Sequence, residues 1–240
     1  MAYHYVWLLW SLAFLAAFLL IYAFARPHRA LMVRAGFGTA PFGFTEPLFV
    51  PSYWNPPSQF ELAQRTGFDL ESLIFTFSIG GIGAVLYNLA TRQTSWPAPP
   101  CGSHRYHYLA LATPAIVFLA LVPLGWNPIY PALIAMTAGA GATILCRPDL
   151  GAKTLLGGLL FFAFYALFMI ALRIAVPGYI EQVWNLPALS GLLIAGIPLE
   201  ELLFGASFGL YWAGVYEHLT WSQPLRTTMG PAPAAVEAKR

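Results

Sequence analysis

Apolar residues run along this chain in unbroken blocks rather than on one face of each segment. Five stretches, near residues 4–25, 69–90, 108–124, 130–146 and 154–174, are apolar all round, each close to the roughly 20 residues a helix needs to cross hydrocarbon. A sixth lies near residues 190–217. Residues 30–50, ALMVRAGFGTAPFGFTEPLFV, are mostly apolar but carry Arg34, Pro41, Glu46 and Pro47, so hydropathy leaves this segment undecided. The pattern predicts an all-α integral membrane protein of six or seven spans.

Basic residues decide between the two counts. With seven spans and the N-terminus outside, Arg26, Arg29, Arg34, Arg92, Arg105, Arg147, Lys153, Arg226, Lys239 and Arg240 fall inside. Only Arg65 and Arg173 then fall outside, ten against two, whereas omitting 30–50 divides the same twelve charges seven against five. The seven-span count is preferred, in a cell (cytoplasmic) membrane. The first span is followed, not preceded, by Arg26 and Arg29, the reverse of a cleavable signal, and is expected to be retained.

Composition agrees. Of 240 residues 58% are hydrophobic and 9% charged, against roughly 25% charged in soluble domains, and mean hydropathy is +0.64. Soluble enzymes are excluded, and a net charge of +2 with no basic stripe argues against a nucleic-acid partner. The longest gap between spans, about eighteen residues from Pro51 to Phe68, is too short for a folded domain, and the Pro-rich tail after Ser222 reads as disordered. No Walker loop, dinucleotide fingerprint or HExxH occurs, so no cofactor is signalled. Cys101 and Cys146 lack zinc-type spacing, and His4, His28, His104, His107 and His218 are unpaired by helical spacing, so no metal is expected. A retinal Schiff base would need a lysine in the last span, and the only lysines are Lys153 and Lys239. The substrate should be a lipid, a small solute or an ion.

Sliding the chain on itself by 129 residues aligns DLESLIFTFSIGGIGAVLYN (69–88) with PLEELLFGASFGLYWAGVYE (198–217), eight of twenty positions being identical. Glu71 falls on Glu200, Phe75 on Phe204, Ser78 on Ser207 and Tyr87 on Tyr216. With a one-residue slip Trp54, Asn55 and Pro57 fall on Trp184, Asn185 and Pro187. The fold expected is two parallel three-helix repeats, 1–92 and 129–221, joined by a linking helix in 93–128 and followed by a cytoplasmic tail, 222–240.

Acids inside spans are costly, on the order of 2.5 to 3.5 kcal/mol at the bilayer centre, and so are functional candidates. They are Glu71, Glu200 and Glu201, with Asp69, Glu46 and Glu217 nearer span ends. At 100° per residue Glu200, Phe204, Ser207 and Tyr211 share a face, as do Glu71, Phe75 and Ser78. An acid beside aromatic rings suits cation chemistry, since a carboxyl donates a proton and ring faces stabilise the positive charge. The alternative is structural: Asp69 caps a helix, Pro198 occupies its first turn, and the acids complement the helix dipole. The loop PSYWNPPSQF is either an interfacial aromatic anchor or a cap over a cavity.

At PLEELLFG, with VWNLPALSG before it and the two-fold repeat, the chain resembles the membrane-integral lycopene cyclases of carotenoid synthesis, which occur as heterodimers of two small subunits or as fused chains. The resemblance covers about residues 1–221 and implies a cofactor-independent isomerisation in which a proton adds to the terminal double bond of a linear carotene. The cation then closes a six-membered ring, and proton loss completes the reaction. The family's Pro-x-Glu-Glu element falls on Pro198, Glu200 and Glu201; in the first half Asp69, Glu71 and Ser72 stand there, lacking the proline and the second acid. With that element as the best candidate for catalysis, the expectation is that Glu200 or Glu201 is the proton donor and Glu71 assists, that Phe75, Phe204, Tyr211, Trp54 and Trp184 line a cation pocket, and that Asp69 and Glu46 are auxiliary polar contacts. Exchange of Glu200 for Gln is expected to abolish turnover. The partners implied are a carotenoid, the lipid bilayer and other carotenoid-pathway enzymes. Rival readings are hydration of the same cation, a non-catalytic carotenoid-binding subunit, and a transporter using the same buried acids.

Overall fold

The computed structural model describes residues 3–97 and 106–226. It is mostly helical, and five of its helices are long and apolar enough to cross a membrane. These are α1 (Val6–Phe24), α4 (Leu70–Thr91), α5 (His107–Leu121) with the turn after it, α6 (Ile129–Cys146), and α7 (Gly151–Ala175) with the turn before it. Many of their outward side chains, such as Leu9, Leu20, Leu119, Leu145, Leu159 and Ile174, are exposed, as expected of a surface meant for lipid.

The two remaining spans expected from sequence are not single α-helices. Helix α2 (Arg29–Thr39) passes into a 3₁₀ stretch, Ala40–Leu48, because Pro41 and Pro47 lack the N–H an α-ladder needs. Toward the other end, α9 is shorter than the 190–217 block. Residues Leu193–Ile194 (β2) and Ile197–Pro198 (β3) form a tight hairpin whose turn residues, Ala195 and Gly196, both have positive φ. Only then does α9 (Leu199–Trp212) begin, continued after a break by α10 (Val215–Thr220). At Gly196 a Cβ would lie 2.1 Å from Arg173 Nε, so the guanidinium packs under this turn. Two short helices, α3 (Leu62–Thr66) and α8 (Tyr179–Val183), belong to the loops at this end of the bundle.

Helix α4 packs on α1 and α2, and α9 packs in the same way on α6 and α7, while α4 meets α7 at the centre. Close approach is bought by small residues: a Cβ on Gly80 would fall 1.7 Å from Thr39 Oγ1. The core between these layers is aromatic and aliphatic, with Phe14, Phe18, Ile79, Ile82, Phe161, Tyr165, Phe208 and Trp212 buried.

Pairings tie the bundle at both ends. At one end Trp54 and Trp184 form a β-bridge, and Asn185 N–H donates to Tyr53 O at 2.9 Å. At the other, β1 (Gln93–Pro97) pairs antiparallel with β4 (Ser222–Arg226), with Ser95 opposite Pro224 at its centre. The tail expected to be disordered from Ser222 therefore begins as a strand, because β1 offers its backbone a partner. The rest of the expected tail, 227–240 with Lys239 and Arg240, and also Cys101, His104 and Arg105, lie outside the described residues.

Candidate functional site

Both bundle halves contribute to one apolar cavity of about 530 Å³, inside the ~300–1,000 Å³ range usual for ligand pockets. Its wall includes rings from α1 (Trp7, Trp10, Phe14), the loop before α3 (Tyr53, Trp54), α4 (Phe75), α7 (Tyr165), the loop after α8 (Trp184) and α9 (Phe204, Phe208, Tyr211, Trp212). Phe42, Leu48 and Leu119 line it too and are exposed, so the cavity reaches the lipid-facing surface between the 3₁₀ stretch and α5.

Among the described residues that line it, two are acids, Glu46 and Glu201. Glu201 stands in the first turn of α9, 5% exposed, and accepts hydrogen bonds from the hydroxyls of Tyr53 and Tyr165 and, at 3.0 Å, from Trp184 Nε1–H. Three donors converging on one carboxylate suit a negative charge held in an otherwise dry place. Glu46 projects from the 3₁₀ stretch with Ser72 and Trp54 beside it, and its Oε1 is buried without a hydrogen-bond partner among the described residues. Ser72 occupies in α4 the place of Glu201 in α9, 129 positions earlier, so each half presents one acid from a different element.

Glu200 and Glu71 face elsewhere. Glu200 Oε1 accepts from Ser190 N–H and from Tyr130 O–H, both at 2.8 Å, and Glu71 Oε1 accepts from Gln59 N–H at 2.8 Å. Neither lines the cavity; each ties the loop before its helix to the helix's first turn. Asp69 is the N-cap of α4, accepting from Ser72 N–H at 2.6 Å and from Trp7 Nε1–H at 3.1 Å. Of the residues singled out from sequence, Glu46, Trp54, Phe75, Trp184, Glu201, Phe204 and Tyr211 therefore share the cavity, and Asp69, Glu71 and Glu200 form its supporting frame. Sequence reasoning missed Tyr53 and Tyr165. Tyr53 adjoins the conspicuous tryptophan of its loop, whereas Tyr165 is one ring among many in a long apolar helix.

A second polar cluster closes the far end of the bundle. Lys153, fully buried, donates to Glu217 as an ion pair and to Asn88 Oδ1 at 3.0 Å; Ser95 Oγ donates to Glu217 and accepts from Asn88 Nδ2 at 3.1 Å. Asn88 and Glu217 are again 129 residues apart. His28, in the turn after α1, faces the same group, and burial, aided by the Lys153 charge, pushes its imidazole below the ordinary range. Asn88 and Glu217, the latter expected near a span end, are both fully buried.

Residues 127–219 match the family model described as lycopene cyclase. No curated protein and no solved structure matches the chain. The matched region spans α6 to α10 and so contains Glu200, Glu201, Tyr165 and Trp184, four of the residues placed at or beside the cavity.

Proposed function

We propose that this protein cyclises the linear end group of a carotene inside the membrane, by acid-initiated isomerisation without a cofactor. The observation that carries the proposal is the cavity: aromatic, open toward lipid, and furnished with the carboxyl groups of Glu46 and Glu201, the second of which lies in the segment that matches the lycopene cyclase family. A polyene end has no polar handle, so it is held by ring faces and shape, and the same faces stabilise the cation it becomes.

The acids divide the work. Glu46, with an unpartnered oxygen in an apolar wall, gains nothing from ionising there and delivers its proton to the terminal double bond. The new C–C bond closes the six-membered ring and moves the positive charge onto a ring carbon. Glu201, held as an anion by Tyr53, Tyr165 and Trp184, faces that charge, and a ring proton leaves toward it. One proton enters and one leaves, so the product is an isomer. Glu201 then returns its proton to Glu46 across the cavity before the next turnover. Exclusion of water matters because water reaching the cation would give a hydroxylated end instead. Trp54 and Trp184, paired over the cavity from the two outer loops, serve as its cover.

The architecture proposed is the parallel repeat. In the β1–β4 pair, the residues at the centre, Ser95 and Pro224, are 129 apart; the bridged tryptophans, Trp54 and Trp184, are 130 apart. The caps after α4 and α10, Arg92 and Trp221, both adopt left-handed φ, at 54° and 50°. Such pairings support a pseudo-two-fold axis running through both ends of the bundle. On this reading α2 with its 3₁₀ extension and α9 with α10 complete seven crossings, with the tryptophan bridge outside. The test is expression in bacteria that accumulate lycopene, with chromatography and absorption spectra of the extracted pigments. Cyclic carotenes are expected. Unchanged lycopene with the protein folded in the membrane would reject the proposal.

A further inference from the structure

The first residue of α5, the last residue of α6 and the last turn of α10 meet at the end of the bundle remote from the cavity cover. They bring together His107, Cys146 and His218. One ring nitrogen of each histidine and the Cys146 sulfur all lie within 4.8 Å of one another, and Cys146 Sγ is 3.9 Å from His107 Nδ1. The two imidazoles meet edge to face with centroids 4.5 Å apart. Both are buried, at 3% and 0% exposure, and His218 Nε2 has no hydrogen-bond partner among the described residues. A wholly buried imidazole with an unanswered nitrogen is costly unless something else satisfies it.

We propose that these three side chains form a binding site for a zinc-class divalent cation. Zinc bonds of about 2.0–2.1 Å to nitrogen and 2.3 Å to sulfur put tetrahedral ligand atoms roughly 3.3–3.7 Å apart. The trio needs to close by little more than an ångström, which side-chain rotation supplies. Two imidazoles and a thiolate are the donor set of zinc and its neighbours, and exclude magnesium and calcium, which take oxygen. Three protein ligands leave a fourth position for water. The surroundings suit a fixed site: Thr143 Oγ1 lies 3.5 Å from His218 Nδ1, and Trp221 stacks on His107 with centroids 4.6 Å apart. Arg147, whose guanidinium lies over Trp221, is matched by Asp149, which accepts from it at 2.8 and 2.6 Å. The ion would join the linking helix α5 to the second half of the bundle through α6 and α10. The three ligands come from three helices, so spacing within any one helix does not reveal them.

Cobalt is the probe, because a thiolate ligand gives it a near-ultraviolet charge-transfer band and tetrahedral geometry gives strong visible bands. The full-length protein in detergent, stripped with chelator and titrated with Co²⁺, is expected to show both at one ion per chain, and Zn²⁺ should displace them. Cys146→Ala should abolish the charge-transfer band and His218→Gln should weaken binding at least tenfold, while Cys101→Ala should leave the spectrum intact. A band that survives Cys146→Ala, or one that is lost in Cys101→Ala, overturns the proposal. Because the Cys146 and His218 variants could fail to fold, a second readout uses Cys101→Ala, whose one remaining thiol is Cys146. Zn²⁺ should slow its alkylation by a maleimide at least tenfold, and an unchanged rate overturns the proposal.

Discussion

Exchange of Glu201 for Gln tests the electrostatic core of the proposed chemistry with little change of shape. The amide keeps one acceptor oxygen but puts an NH₂ where Tyr53, Tyr165 and Trp184 supply three donors, so at least one buried donor loses its partner. More important, the negative charge is gone. Two unit charges about 4 Å apart attract by about 4 kcal/mol at an effective dielectric of about 20. At 1.36 kcal/mol per decade, loss of that stabilisation from the cationic transition state slows cyclisation roughly a thousandfold. The assay is cyclic carotene formed per unit of folded membrane protein in lycopene-accumulating cells. Glu201→Asp, which keeps the charge and moves it by one methylene, should retain a measurable fraction. Product from Glu201→Gln within a factor of about ten of the parent would refute the assignment of the counter-charge to this residue.

Further outcomes follow from the same geometry. Glu200→Gln keeps an acceptor for Ser190 N–H and Tyr130 O–H and should leave more than a tenth of the activity, whereas Glu46→Gln should remove nearly all of it; equal pigment profiles for the two variants would merge their roles. Lys153→Ala strands Glu217 in the interior and should cost about 3–5 kcal/mol, seen as a lowered thermal midpoint in detergent, with Glu217→Gln in the same chain recovering part of the loss. Gly80→Ala drives a methyl into Thr39 and should destabilise by about 1–3 kcal/mol or more, and Thr39→Gly in the same chain should relieve it; a midpoint unmoved by Gly80→Ala would contradict the packing. For the seven-span arrangement, cysteines placed at Phe60 and Ser190 should label with an impermeant maleimide added to intact cells, and neither doing so would reverse the orientation.

The five long helices were legible as apolar blocks because each is apolar all round. The segment 30–50 was ambiguous for a physical reason now visible: Pro41 and Pro47 turn its second half into 3₁₀ geometry, which costs helical regularity but points Glu46 into the cavity. The PLEELLF element falls on the first turn of α9, yet two adjacent acids project about 100° apart, and hydropathy does not say which one faces a void. Contacts decide that: Glu201 inward and Glu200 onto Ser190 and Tyr130. Tyr53, Tyr165 and the His107–Cys146–His218 group depend on how separate helices meet, a relation no single segment encodes. Lys153 counted as a loop charge in the topology, and it lies instead inside the bundle because Glu217 and Asn88 can hold it there.

If the proposed function holds, the serine at position 72 sets a limit on how the protein handles a long molecule. A bundle with a pseudo-dyad and a carboxylate in each α4-type helix could seize both ends of a symmetrical polyene at once. Here α9 alone of the two turns a carboxylate into the cavity, since Glu71 of α4 faces away, and Glu46 is the acid that accompanies it there. On the proposed function, a substrate with two identical ends must be finished in two visits. After the first ring closes, the half-processed chain slides out past Phe42 and Leu119, diffuses in the bilayer, and competes with fresh substrate for re-entry. The ratio of one-ringed to two-ringed product then becomes a matter of traffic, set by how much enzyme shares the membrane with how much substrate.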